Sequence, residues 1–215
     1  MQTIFFFYGL AFLVMGVTIF SMPKKNDLLR LSGDLWLVGL FGVLHGVNEW
    51  LDLFILRGAP FNVEVLRVIG ALLLPLSFAP LIQFGVKILF PKTRSYRSLR
   101  YLWMIPLMGW AVACFLTHGF LIPGIVARYS LAFPGALLTA VALLQAYGHA
   151  DKKKLPMEVS AGAICAAVIF FCYGVLSGLV VPSADFFPAF LINYPHFLQL
   201  TGAPVQLFRM ICAML

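Results

Sequence analysis

Hydrophobic positions along this chain come in long, nearly unbroken runs, not in the alternating or one-faced patterns of soluble elements. Six runs are long enough to cross a bilayer: 3–22, 35–56, 66–90, 101–122, 129–149 and 159–181. A spanning helix needs about 20 mostly apolar residues, at 1.5 Å each, to cross a hydrocarbon core of roughly 30 Å. A seventh run, 204–215, is still apolar at Leu215. It would make only about 18 Å of helix, so either helix 7 starts earlier, near Phe197, or the chain is cut within its last helix, which is the favoured expectation. The pattern therefore predicts an all-α fold, a polytopic membrane helix bundle of seven transmembrane helices forming one domain over 1–215. Prolines at 75, 80, 106 and 134 fall inside the runs and predict kinks. No internal repeat is visible.

Polar residues interrupt this pattern in a few places. Helix 2 carries LHGVNEWLDLF over 44–54, in which His45, Asn48, Glu49 and Asp52 are spaced i, i+3, i+4 and i+7 and share one helical face. Lipid would leave those carboxylates unpaired, so the face turns inward. Ionisable groups within a membrane default to a functional reading. His118 near the end of helix 4, His196 in the connection after helix 6 and Arg209 in helix 7 fall in the same half of the membrane. These seven residues are the expected ligand-binding set, with Arg209 paired to Glu49 or Asp52. Arg67 and Arg128, at the starts of helices 3 and 5, lie at the same face. The connection 182–203 is long and apolar, with Asp185 its only formal charge and four phenylalanines. It predicts an interfacial segment or a lid over the pocket.

Composition agrees: 62% of residues are hydrophobic and 11% charged, against roughly a quarter charged in soluble domains. A soluble enzyme, a disordered chain and a disulfide-stapled secreted domain are excluded. The net charge of +7 does not imply nucleic acid, because the basic residues sit in short gaps between apolar runs. The first, third and fifth gaps hold Lys24, Lys25, Arg30, Lys92, Arg94, Arg97, Arg100, Lys152, Lys153 and Lys154. Positive loops stay cytoplasmic, so the N-terminus is expected outside and helix 7 runs inward. No basic residue precedes the first run, so 3–22 reads as a retained helix, not a cleaved leader. Cys114, Cys165, Cys172 and Cys212 lie in apolar runs without CxxC spacing and read as buried, unreactive thiols.

Three further chemistries fit parts of the polar set. His45 and His118 on separate helices are a candidate haem b pair, which would make a redox or gas sensor. His45 and Glu49, with His118 or His196 as a third ligand, are a candidate metal site, whose enzymatic version is a zinc-dependent intramembrane hydrolase. A transporter is weakened by the confinement of polar groups to one half of the membrane. No catalytic residue is assigned, and the segment itself is not read as an enzyme.

At LHGVNEWLDLF (44–54), FPGALLTAVALL (133–144) and LTGAPVQLFR (200–209) the chain resembles the seven-helix sensor modules found at the N-terminus of bacterial membrane histidine kinases and diguanylate cyclases. The resemblance implies a membrane input domain, capable of homodimer formation, joined through helix 7 to a cytoplasmic signalling output domain in cis. The phenylalanine-rich connection suits a small hydrophobic or amphipathic ligand.

Overall fold

The computed structural model describes residues 1–22, 28–29, 31–58, 60–91, 99 and 101–215 of the 215-residue chain. Five helices are long and apolar enough to cross a membrane: α1 (Gln2–Ser21), α2 (Trp36–Arg57), α3 (Val63–Leu89), α5 (Leu121–His149) and α6 (Met157–Leu179). Between α3 and α5 lies the shorter α4 (Met104–Leu116). Two more, α7 (Tyr194–Thr201) and α8 (Val205–Met214), follow α6. No named strand occurs among the described residues, only an isolated bridge between Val181 and Asn193. An apolar chain in lipid can satisfy its backbone only internally, so helices are the expected outcome.

The helices close into a ring in the order α1, α2, α3, α5, α6, α8 and back to α1. Glycines allow the tightest of these contacts. Gly9 and Gly16 of α1 face Gly46, Gly42 and Gly39 of α2 so closely that a methyl on Gly46 would sit 2.7 Å from the Gly9 carbonyl oxygen. Small residues let membrane helices approach backbone to backbone and gain dispersion contacts. The centre is aromatic: Tyr8, Phe12, Phe41, Phe78 and Tyr173 are almost wholly buried.

Two helices depart from the expected spans. The predicted helix 101–122 is realised as α4, which has 13 residues and buries none of them, about 20 Å of helix. It leans on the start of α5 outside the ring. Helix 5 begins at Leu121 instead of 129, and a π-helical turn, Arg128–Ala132, lies within it just before Pro134. Proline supplies no N–H, which leaves preceding carbonyls free for the wider turn. A second π turn, Val175–Leu179, ends α6 and packs against the first. Pro75 and Pro80 are accommodated within a continuous α3.

The segment 182–203 folds back on itself. Tyr194 N donates to the Val181 carbonyl at 2.9 Å, and the buried Asn193 caps α7 by accepting from His196 N at 3.0 Å. Phe187, Phe190 and Leu200 stay exposed on its far side. Cys114, Cys165 and Cys172 are exposed on the bundle exterior and Cys212 is half-buried. The expectation of buried thiols is thus corrected: an apolar exterior accepts cysteine as readily as a core does. Of the ten basic gap residues, Lys24, Lys25, Arg30, Lys92, Arg94, Arg97 and Arg100 lie outside the described residues.

Candidate functional site

Below, the upper end of the bundle is the end where α1 begins. Each helix of the ring brings a polar side chain to its middle or upper part. On α2, one face carries His45, Asn48 and Glu49, all buried, with Asp52 half-buried one turn higher. The i, i+3, i+4, i+7 spacing explains why all four point inward together.

His45 sits at the centre of a buried hydrogen-bonded chain. Its Nδ1 lies 3.1 Å from Ser77 Oγ of α3, whose hydroxyl donates to the Leu74 carbonyl at 2.8 Å. Its Nε2 lies 2.7 Å from the Tyr173 hydroxyl of α6 and 3.3 Å from Glu49 Oε1. The Tyr173 hydroxyl is 3.0 Å from that of Tyr8 on α1. Phe12, Phe41 and Phe78 pack around the imidazole with ring centroids 4.9–5.2 Å away. Four helices are thereby joined through one imidazole.

Above this chain lies a cavity of about 320 Å³. Glu49 and Asp52 line one wall, and Arg128, Arg209 and Gln206 face them. Pro182 and Tyr194 of the 182–203 segment contribute to its lining from above. Two carboxyl groups and two guanidinium groups therefore share one small space.

The arginines are held in an unexpected way. Arg209 donates from Nε and Nη2 to the Leu176 carbonyl, at 3.0 and 2.7 Å, and from Nη2 to the Val180 carbonyl at 2.7 Å. Its Nη1 reaches the Tyr194 hydroxyl at 3.4 Å, and the guanidinium lies over the Tyr194 ring. Arg128 donates to the neighbouring Ser177 carbonyl at 3.1 Å. All three carbonyls belong to the π turn that ends α6 or to the residue after it. A π turn opens carbonyls sideways, and a helix C-terminus attracts positive charge. The expected pairing of Arg209 with Glu49 or Asp52 is corrected accordingly. No ion pair among the described residues includes Arg209, because helix-end carbonyls satisfy it. Tyr194 responds to the same charges. Burial pushes its hydroxyl up, but Arg128 and Arg209 outweigh that and hold it below the ordinary tyrosine value.

The remaining predicted residues are not gathered here. His118 is exposed in the connection between α4 and α5. His196 is exposed on α7, its Nδ1 at 2.8 Å from the Leu191 carbonyl. Asn48 faces Gly70 of α3. The haem pair His45–His118 is therefore not assembled: one partner is exposed, and both ring nitrogens of the other are engaged within the protein. The metal set His45, Glu49 and His118 fails for the same reason. Among the described residues no three His, Cys, Asp or Glu side chains converge to hold a metal ion.

Reading the polar positions alone passes over Tyr8, Ser77 and Tyr173. Their signal is their setting: a hydroxyl inside a twenty-residue apolar run must find a partner within the protein. Compared with known proteins, the chain matches no family model, no curated protein and no solved structure.

Proposed function

We propose that this chain is the signal-input domain of a bacterial membrane protein, which binds a small ligand in the upper cavity and relays its presence through α8. The observation that carries the reading is the cavity itself. Carboxylates on α2 face guanidinium groups on α5 and α8 beneath a folded apolar segment. A lining of both signs suits a small zwitterionic molecule, or an amphipathic one with a polar head.

In this reading the N-terminus and the cavity face outward, seven helices occupy the inner membrane, and the end of α8 leads toward a cytoplasmic output domain in cis. The relay follows from the partners of Arg209. An anionic group entering the cavity competes with the Leu176 and Val180 carbonyls for the guanidinium, and α8 moves with it. Only a ligand that binds the shifted state more tightly drives that change.

Thermal unfolding of the purified protein in nanodiscs, against a panel of amino acids, short carboxylates and amines, tests the binding step. One chemical class is expected to raise the midpoint. Saturation at a hundred times Kd adds about 2.7 kcal/mol, or roughly 5–11 °C in a domain of this size. Asp52→Asn and Arg209→Gln are expected to abolish the shift. A panel in which no member moves the midpoint would sink the reading.

A further inference from the structure

The buried chain around His45 includes one contact, Nε2 with Glu49 Oε1, that ordinary ionisation states do not account for. Tyr8 has one hydrogen-bond partner, the Tyr173 hydroxyl, so it donates there and Tyr173 donates onward to His45 Nε2. At the other end, Ser77 uses its single proton on the Leu74 carbonyl, which can only accept. Ser77 Oγ therefore accepts from His45, and Nδ1 carries the imidazole proton. Nε2 then carries no proton of its own, and its one lone pair accepts from Tyr173. Yet Glu49 Oε1 lies 3.3 Å from that same nitrogen. An ionised carboxylate beside an unprotonated nitrogen finds no donor there and is repelled, in a site where both residues are buried.

We propose that His45 and Glu49 hold one proton between Nε2 and Oε1, forming a proton-binding site within the bundle that opens to the upper cavity through Glu49. The inference rests on this hydrogen-bond bookkeeping and not on the cavity's ligand. Charged and titratable groups face the pair from every side: Tyr8 from α1, Asp52 from α2, Arg128 from α5, Tyr173 from α6, Tyr194 from α7 and Arg209 from α8. Outside the pair, the charged surroundings are two arginines and one carboxyl group, Asp52, so the proton is held by the pair itself and not by neighbouring negative charge. Among the described residues the chain ends at Tyr8, with Tyr173 as its only onward partner.

Infrared pH-difference spectroscopy of the protein in liposomes, without any ligand, reads the proton directly. The expected result is a titrating signal, either a protonated carboxyl or an imidazolium, that is lost in Glu49→Gln and retained in Asp52→Asn. Coincident wild-type and Glu49→Gln spectra, or a signal lost in Asp52→Asn alone, would overturn the proposal. Tyr173→Phe keeps the ring and supplies a second test. Removing the hydroxyl that competes for Nε2 should move the midpoint of the same signal to higher pH, and an unmoved midpoint counts against the chain. Because no ligand is added, this experiment can fail while the ligand panel succeeds, and the reverse.

Discussion

Arg209 shows how a residue type leaves its partner open. A lone arginine in an apolar helix requires acceptors, and the nearest formal anions in the sequence are Glu49 and Asp52. The chain satisfies it instead with carbonyls that a π turn has freed at the end of α6. A guanidinium with several donors in a fixed fork suits such a cluster, whereas an ammonium does not. Arg209→Gln should therefore destabilise the bundle by about 2 kcal/mol through unsatisfied carbonyls. Arg209→Lys should recover only part of that loss, in equilibrium unfolding in mixed micelles. Equal stability of the lysine variant and the wild type would show that charge alone matters. Tyr8→Phe is the mild counterpart. Tyr8 only donates at the end of its chain, so its loss should cost about 0.5–1 kcal/mol, the range of one interhelical hydrogen bond.

Among the elements, the α1–α2 seam and the paired π turns do the positioning. Gly46 follows His45, and its hydrogen faces the Gly9 carbonyl across the seam. Gly46→Val should force α1 away, costing about 1–3 kcal/mol as overpacking does. It should also pull Tyr8 away from Tyr173, and the same infrared titration would register that shift. A stability loss with an unchanged titration would mean that the seam and the buried chain are independent. The π turns were not legible beforehand, because the apolar pattern of a π turn resembles that of an α-helix. Pro134 was the available sign, read only as a kink. The length of α4 is hidden in the sequence for a related reason. Hydropathy measured the apolar length of 101–122 correctly, but the backbone leaves the helix at Thr117, before that run ends.

At the scale of the whole molecule, the proposed orientation predicts a labelling pattern. Lys153→Cys should react with an impermeant maleimide only in inverted vesicles, and Ser183→Cys only in intact cells stripped of their outer membrane. The opposite pattern would reverse the proposed direction of signalling. By itself the sequence determined the class of fold, the approximate positions of five long helices and the inward face of α2. Uninterrupted apolar length and a helical period are local properties, and a bilayer leaves the backbone little alternative to helix. Only the tertiary structure decided which of those polar residues meet. It brought Tyr8, Ser77 and Tyr173 to His45, left His118 and His196 outside, and gave Arg209 to the end of α6. Those outcomes depend on ring order and helix rotation, which are set by glycine seams and side-chain packing between distant segments. Spacing along one helix says what shares a face, but it cannot say what lies opposite.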